Sequence, residues 1–167
     1  VWDIDDKLQH ILGEVHPEKL GSGSGIIYFT LIRTLLEFSE RLENESVKHV
    51  VYHGDLPRQR RRSIQDQFMH GDEPLVLSTN AFGMGIDKPN VRFVAHMDFP
   101  QTIERYYQET GRAGRDGLPA TAWMLYGFAD IAGAQRFIAT SEAGENHKRV
   151  LMGKLQSMLG LCETVTC

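Results

Sequence analysis

Short apolar runs alternate with amphipathic stretches along the chain, and this alternation is the main guide to its fold. The apolar runs predict strands at 25–30, 49–52, 75–79, 91–96 and 120–126. Apolar residues at helical spacing predict helices at 2–15, 31–42, 57–70, 103–112, 129–140 and 146–162. Strands that alternate with helices through short links favour a parallel sheet with helices on both faces, which is an α/β fold.

Two further segments are interpreted from composition and pattern. The sequence GSGSGI at 21–26 is rich in glycine and serine, and we interpret it as a flexible connection before the first strand. The last predicted helix has Val150, Leu155 and Leu159 on one side. The preferred interpretation is that this side docks on the core of the domain.

The composition indicates one compact domain and gives no sign of a membrane protein. The 167 residues are 41% hydrophobic and 24% charged, which is ordinary for a soluble globular domain. No apolar run approaches the roughly 18 residues that a membrane span needs. The formal charge is −4, so any contact with nucleic acid must depend on local basic features.

The segment YYQETGRAGRDG at 106–117 carries the strongest chemical signal. Gln108, Arg112 and Arg115 fall at positions i, i+4 and i+7, so on a helix they would form one polar stripe. Glycines lie among them at intervals of three, which indicates that a backbone or a ligand comes close. Two arginines beside glycines are suited to binding a phosphate. The alternative is a surface helix with ordinary arginines.

A second segment is suited to the same chemistry. The predicted strand 75–79 ends in hydroxyls, and a loop with two glycines and Asp87 follows it. In open α/β sheets, ligands bind beyond the carboxyl ends of the strands, where backbone N–H groups of a glycine loop can face a phosphate. Asp87 could accept a hydrogen bond from a ribose hydroxyl. Alternatively, Asp87 stabilises a turn and Thr79 caps the next one.

A basic run, RQRRR, occupies positions 58–62 at the start of a predicted helix. Arg58, Arg61 and Arg62 share one side of that helix. One interpretation is a solvated basic face. The other is contact with a nucleic-acid backbone, which would be independent of sequence and strongly dependent on salt.

Taken together, these segments resemble the RecQ family of DNA helicases. The sequences AFGMGIDKPNVRF at 81–93 and YYQETGRAGRDG at 106–117 are similar to motifs V and VI of superfamily 2 helicases in their RecQ form. Shorter matches, GIIYF at 25–29 and VVYHGDL at 50–56, lie where the family has its motif IV region. The resemblance extends over nearly the whole chain. It implies the second RecA-like motor domain, with a sheet of P-loop NTPase type and a helical C-terminal tail.

The resemblance also implies roles for individual residues. Arg112 and Arg115 would act as arginine fingers on ATP, and Gln108 would orient the attacking water or couple the arginines to DNA. Gly85 and Asp87 would contact the ribose side of the nucleotide. The single-stranded DNA track would include His53, Gly54, Thr79, Asn80 and Arg33.

The segment after the first strand departs from the family pattern. Many RecQ sequences have a Ser-Arg pair soon after the tyrosine of this strand. Leu31 and Ile32 stand there in this chain, and Arg33 is expected to take the place of the usual arginine. This departure concerns the DNA contact of the segment and not the assignment of the nucleotide side.

The chain lacks other parts of a helicase motor. It has no G-x-x-x-x-G-K-[ST] phosphate loop and no Asp-Glu-Ala-Asp or Asp-Glu-Ala-His box. We therefore expect ATP and Mg²⁺ to be held mainly by a first motor domain, and this chain alone to be inactive. The implied partners are single-stranded or partly duplex DNA and that N-terminal RecA-like domain of the same protein. Movement would be 3′ to 5′, in the nucleoid region of a bacterial cytoplasm or in a eukaryotic nucleus.

The expected organisation has three parts. An N-terminal segment and first helix occupy 1–24, the second RecA-like domain 25–142, and a C-terminal helix 143–167. By resemblance, this helix leads toward a zinc-binding module in which Cys167, but not Cys162, matches a ligand. Because a structural zinc site needs four ligands, we expect zinc only in the downstream module of the full-length protein.

Two other classes of function compete with a DNA motor. One is a non-catalytic module that binds nucleic acid or protein and merely keeps a RecA-like shape. The other is an RNA-directed member of superfamily 2, which single-stranded RNA but not DNA would stimulate.

Overall fold

The computed structural model describes residues 3–71, 74–79, 82–83 and 86–164. Within these residues the strands are β1 (Ser24–Phe29), β2 (Val50–Tyr52), β3 (Leu75–Thr79), β4 (Val91–His96) and β5 (Thr121–Met124). The helices are α1 (Ile4–Glu14), α2 (Pro17–Leu20), α3 (Ile32–Asn44), α4 (Arg58–His70), α5 (Ile103–Thr110), α6 (Phe128–Thr140) and α7 (Glu145–Thr164). The predicted alternation of strands and helices is confirmed.

The strands form one sheet in the order β2-β3-β1-β4-β5, and every neighbouring pair is parallel. All strands therefore end at one edge, the carboxyl edge, and begin at the opposite amino edge. β2 and β3 lie on one side of β1, whereas β4 and β5 lie on its other side. The direction of winding thus reverses beside the central strand β1.

Alternate residues of the strands face opposite sides of the sheet, because successive side chains of a strand point in opposite directions. Ile27 and Phe29 face α1 and α3 in one apolar cluster. Ile26 and Tyr28 face α4 in another. Both faces are covered, which explains why the strands contain continuous apolar runs.

The last helix packs on the domain through Leu155 and Leu159, as expected, whereas Val150, which was placed on the same side, is 55% exposed. Leu155 and Met158 of α7 are buried in a third cluster with Phe99 and with Ile138 of α6. The Sγ of Cys162 lies 3.6 Å from the Sδ of Met124 in the same cluster. No helix in the described ranges is both long and apolar enough to span a bilayer.

The glycine-rich segment 21–26 is not a flexible connection, so this prediction was wrong from Gly23 onward. Ser24 begins β1, and the residues from Gly23 are buried. A Cβ on Gly25 would lie 2.2 Å from the ring of Phe93 on the neighbouring strand. Glycine is therefore required here so that a large aromatic ring can pack on the backbone, which composition alone does not reveal.

We predict that Gly25→Ala destabilises the domain by about 1–3 kcal/mol, because the added methyl group overpacks a filled core. Gly133→Ala is the matched control, since a Cβ there meets nothing within 4 Å on exposed α6. The control is expected to stabilise by roughly 0.5–1 kcal/mol, the usual gain from removing a mid-helix glycine. Urea unfolding of the 167-residue chain measures both, and equal effects would contradict the packing argument.

Candidate functional site

The connection from β3 to β4 crosses one face of the sheet. It begins at the carboxyl edge after Thr79 and reaches the amino edge at Val91, with β1 between the two strands. Phe82 and Ile86 are buried in the same cluster as Tyr28. The hydroxyl of Tyr28 donates to the carbonyl of Phe82 at 3.4 Å. The connection is therefore packed onto the domain where it passes β1.

The segment that follows α5 forms turns and not a helix. Helix α5 ends at Thr110, and Gly114 and Gly117 have φ angles of 65° and 78°. These left-handed conformations suit glycine and cannot continue an α-helix. The amide of Gly114 donates to the carbonyl of Val91 at 2.9 Å, so the turns lie against the amino edge of β4.

The predicted helical stripe of Gln108, Arg112 and Arg115 is therefore wrong in its geometry. Gln108 is exposed near the end of α5, whereas the two arginines lie in the turns beyond it. Close approach of another part of the chain is confirmed at Gly114 but not at Gly117, where a Cβ would meet nothing within 4 Å. A Cβ on Gly114 would lie 3.0 Å from the carbonyl of Leu118, which is a neighbouring part of the backbone.

Arg112 lies under the β3–β4 connection. Its Nη1 donates to the carbonyl of Ile86 at 3.3 Å. A Cβ on Gly83 would lie 2.4 Å from its Nη2, and Gly83 has a φ of 146°, so only glycine leaves room for the guanidinium. Its buried Nε has no hydrogen-bond partner in the described part of the chain. Arg112 is thus held in place beneath the connection.

Arg115 lies closer to solvent and pairs with the residue predicted to accept from a ribose. Its Nη1 is 2.6 Å from the Oδ1 of Asp87, and the two side chains are 39% and 78% exposed. Its Nε also donates to the carbonyl of Gly111 at 3.3 Å. The structure thus brings Arg112, Arg115 and Asp87 together at the surface where the two glycine segments meet.

Arg92 of β4 fixes the turns that carry the two arginines. Its Nη2 donates to both carboxylate oxygens of Asp116, at 2.6 and 2.7 Å, and its Nη1 donates to the carbonyl of Pro119 at 2.9 Å. These hydrogen bonds hold the pKa of Asp116 below its ordinary value. Sequence reasoning did not identify this clamp, because the partners are 24 residues apart.

The residues predicted to contact DNA lie at a different place, along the carboxyl edge. His53 follows β2, Thr79 ends β3, and Arg33 is the second residue of α3, just after β1. Gly54 and Arg33 are exposed, His53 is half-buried, and Thr79 is only 5% exposed. We call His53, Thr79 and Arg33 the carboxyl-edge group. Gly85, Asn80 and Cys167 lie outside the described residues.

A buried polar set beside Arg112 was missed from the sequence. His96 Nε2 and Glu109 Oε2 are 2.7 Å apart, and the two side chains are 4% and 9% exposed. Tyr28 stacks on His96 at 5.4 Å between ring centroids. Burial raises the pKa of Tyr28, so its phenol stays neutral beside the Arg112 guanidinium. In the sequence, the one indication of this buried polar set is a histidine at the end of an apolar strand.

The arrangement suits an anionic ligand more than a metal ion. Two guanidinium groups, each with several N–H donors, can bind phosphate oxygens. No group of three histidine, cysteine, aspartate or glutamate residues with the spacing of a metal site occurs among the described residues. The residues present therefore fit an anionic group such as a phosphate.

The fold of this chain is similar to that of RecA-like helicase domains. It resembles the Escherichia coli DEAD-box protein SrmB with a TM-score of 0.65 and 19% identity, over 92% of this chain and 78% of that one. It also resembles the Hef helicase domain of Pyrococcus furiosus with a TM-score of 0.60 and 24% identity, over 81% of this chain and 28% of that one. These likenesses concern the fold alone.

Sequence comparison gives the family. Residues 5–117 match the model of the helicase conserved C-terminal domain. The chain is 42% identical over 144 residues to the ATP-dependent DNA helicase RecQ of Haemophilus influenzae, which covers 86% of this chain and 23% of that protein. It is 37% identical to the ATP-dependent helicase SGS1 of Saccharomyces cerevisiae, over 99% of this chain and 12% of that protein. The chain belongs to the helicase C-terminal domain family, in its RecQ branch.

The chain spans less than a quarter of the length of these relatives. The parallel sheet with helices on both faces confirms the predicted fold, and the family match confirms the predicted family. The residue roles and the activity of a whole protein are taken up below as proposals.

We predict that Asp116→Asn destabilises the domain in a way that depends on pH. Because the pKa of Asp116 is lowered in the folded state, its stabilising effect is present above its ordinary value and is lost as pH falls through the lowered pKa. The difference in free energy of unfolding between parent and variant should therefore be full at neutral pH and shrink below a pH of about 4.

Urea unfolding at several pH values measures this difference. Asp87→Asn is the matched control, since it breaks an aspartate–arginine pair whose carboxylate is 78% exposed. Exposed pairs contribute about 0–1 kcal/mol, so the control should change stability little. A loss for Asp116→Asn that is the same at every pH would contradict the role of its charge.

Proposed function

We propose that this chain is the C-terminal motor domain of an ATP-dependent DNA helicase of RecQ type that moves 3′ to 5′. The observation that carries the proposal is the convergence of Arg112, Arg115 and Asp87, which come from two separate stretches of backbone and lie at one surface. The names of the relatives support ATP and DNA as ligands of the whole protein.

Arg115 is suited to act as an arginine finger. Its side chain is 39% exposed, and its carboxylate partner, Asp87, is itself at the surface. An incoming phosphate can therefore replace Asp87 as its partner at small cost, because exposed ion pairs are weak. Asp87, once released, is free to accept from a ribose hydroxyl.

Arg112 is suited to hold a phosphate oxygen from a fixed position. The carbonyl of Ile86 and the backbone of Gly83 restrict its guanidinium, so little side-chain entropy remains to be lost on binding. ATP with Mg²⁺ would supply the phosphoryl chemistry, and an N-terminal RecA-like domain of the same protein would hold most of it. The contribution of this chain would be positive charge presented to the developing negative charge.

The β3–β4 connection offers a path between nucleotide and DNA. One end continues Thr79 of the carboxyl-edge group, and its middle contacts Arg112 through Gly83 and Ile86. A shift of Arg112 against the connection would therefore be transmitted to the strand end that is proposed to contact DNA. Gln108, exposed near the end of α5, would orient water or link the arginines to this path.

We predict that Arg115→Ala in the full-length polypeptide lowers the kcat of DNA-stimulated ATP hydrolysis by about 10³-fold or more, with ATP binding largely kept. Arg136→Ala is the matched control, because Arg136 is exposed on α6, away from these turns. Phosphate release measured with single-stranded DNA and, separately, with single-stranded RNA gives the rates.

Turnover of Arg115→Ala within about twofold of the parent would remove Arg115 from the site. Stimulation by RNA alone would favour an RNA-directed motor, and absence of hydrolysis in the full-length polypeptide would favour a non-catalytic module. The 167-residue chain by itself is expected not to hydrolyse ATP. Steady activity that co-purified with it would contradict a site shared between two domains.

We predict that Gly83→Ala impairs turnover through Arg112. The new Cβ would meet the Nη2 and Cζ atoms at 2.4 and 2.7 Å, and the flexible end of the arginine would move away. The kcat of ATP hydrolysis should fall tenfold or more, whereas the free energy of unfolding should fall by only about 1–3 kcal/mol from backbone strain.

Gly21→Ala is the control for strain alone. Gly21 also has a positive φ, 56°, but a Cβ there meets nothing within 4 Å. Its variant should lose similar stability and keep the parent kcat within about twofold. Equal kcat values for the two variants would show that the contact between Gly83 and Arg112 is not needed.

A further inference from the structure

Helix α5 packs on the sheet through a charged residue. Within this helix, all of which the structure describes, Glu109 is the only buried residue, a position that apolar residues normally fill. Its Oε2 lies 2.7 Å from Nε2 of His96 on β4. Replacing a buried ionisable pair by apolar side chains of similar size is often neutral or stabilising. The presence of this pair therefore needs a reason other than the stability of the fold.

The imidazole of His96 has a fixed position. Its ring stacks on Tyr28 of β1 with 5.4 Å between the centroids, and it packs against Tyr106 of α5 at 5.2 Å. Its strand, β4, lies inside the sheet between β1 and β5. His96 is thus a firm anchor, and the length of the Glu109 side chain sets how far the last turn of α5 lies from it.

His96 is also the main partner of the Glu109 carboxylate. The nearest cation on α5 is Arg105, whose Nε lies 3.7 Å from the Oε1 of Glu109, beyond the usual length of a hydrogen bond. Arg105 instead donates through Nη1 to the Oε1 of Gln101 at 3.2 Å. The contact with His96 is therefore what fixes the carboxylate.

Arg112 follows Glu109 by three residues, at the point where the helix ends. The backbone carbonyl of Glu109 accepts from the amide of Arg112 at 3.3 Å, and the carbonyl of Tyr107 accepts from the amide of Gly111 at 2.9 Å. These hydrogen bonds make one compact turn of the segment. A displacement of Glu109 is therefore passed on to the start of the Arg112 side chain.

The other end of the Arg112 side chain tolerates little displacement. Its guanidinium lies between the carbonyl of Ile86, at 3.3 Å from Nη1, and the backbone of Gly83. A Cβ on Gly83 would lie only 2.4 Å from Nη2. A shift at the base of the side chain thus changes where the guanidinium can lie beneath the β3–β4 connection.

His96 also reaches this connection by a second route. Tyr28, which stacks on His96, donates through its hydroxyl to the carbonyl of Phe82 at 3.4 Å. Phe82 is the residue before Gly83 in the connection. His96 therefore helps to fix both the helix end that carries Arg112 and the loop that covers it.

We propose that Glu109 is a positioning residue for Arg112, whose hydrogen bond to His96 fixes the end of α5 and with it the guanidinium that faces ATP. This inference rests on the proposed motor function and adds Glu109 and His96 to it. A misplacement of about 1 Å, even by a change far from the chemistry, can cost roughly 10²-fold in rate. The length of the Glu109 side chain should therefore matter more than its charge.

The test compares Glu109→Asp with Glu109→Gln in the full-length polypeptide. Aspartate keeps the charge and shortens the side chain by one methylene, so it cannot reach His96 unless the helix moves. Glutamine keeps the length, and its amide can donate or accept, so the contact with Nε2 remains. Phosphate release at saturating single-stranded DNA gives the kcat and the KM for ATP, and each variant is also combined with Arg112→Ala.

Glu109→Asp should lower the kcat about tenfold or more, because the guanidinium is displaced. Its KM for ATP should stay within about threefold of the parent value, because the other motor domain holds most of the nucleotide. Glu109→Gln should keep the kcat within about threefold. In the Arg112→Ala background, Glu109→Asp should cause no further loss of kcat, since its effect passes through Arg112.

Ser39→Ala is the control for the loss of a histidine hydrogen bond elsewhere. The Oγ of Ser39 lies 2.7 Å from Nε2 of His49, which precedes β2, and β3 and β1 separate β2 from β4. This variant should keep the kcat within about twofold of the parent. Urea unfolding of every variant shows that it is folded under the assay conditions, so a loss of kcat is not a loss of folded protein.

A kcat of Glu109→Asp within about twofold of the parent overturns the inference. An equal loss in Glu109→Gln also overturns it, because length would then not be what matters. A full further loss in the Arg112→Ala background overturns it as well, because Glu109 would then act elsewhere. If Arg112→Ala itself keeps the parent kcat, the proposed role of Arg112 fails too. A loss for Arg112→Ala without one for Glu109→Asp defeats this inference alone.

Discussion

The chain between β3 and β4 must cross the sheet, because the two strands are parallel and lie on opposite sides of β1. This constraint brings a glycine-containing loop over the central strand and against the turns that follow α5. Apolar packing of Phe82 and Ile86 holds the crossing in place. The guanidinium of Arg112 fits beneath it only because residue 83 has no side chain.

The two ends of this crossing lie at opposite edges of the sheet. The carboxyl edge carries the residues proposed to contact DNA, and the surface near the amino edge of β4 carries the arginines proposed to contact ATP. Ligands of open α/β sheets generally bind beyond the carboxyl ends of the strands. Only the residues proposed to contact DNA lie there. A motor needs two such sites that sense each other, and a packed connection between them is a physical means of coupling.

The charge distribution follows the same division. Around the arginine turns, each guanidinium is matched by a carboxylate or a carbonyl, as in the Arg92–Asp116 clamp. On α4, Arg58 and Arg62 have no ion-pair partner in the described ranges and stand at the end of the helix that disfavours them. The Arg92–Asp116 pair keeps a loop in position, whereas Arg58 and Arg62 leave positive charge exposed at the surface.

The sequence by itself determined the fold class, most element positions, the family and the identity of the arginine and aspartate group. The fold class and the element positions follow from the local periodicity of apolar residues. The family and the arginine and aspartate group follow from motifs whose residue types rarely occur together. The sequence did not determine that Arg112 and Arg115 lie in turns, since spacing at i, i+4 and i+7 describes a helix equally well until Gly114 and Gly117 adopt left-handed conformations.

The tertiary structure alone decided which distant groups meet. By composition, Gly25 belongs to a glycine-rich connection. In the structure, the ring of Phe93 from a neighbouring strand packs on it. Arg92 and Asp116, or His96 and Glu109, have no local signature, because their contact arises only when the strands take their order in the sheet. Sequence patterns report what a residue does with its chain neighbours, whereas these contacts join residues that only the sheet order brings together.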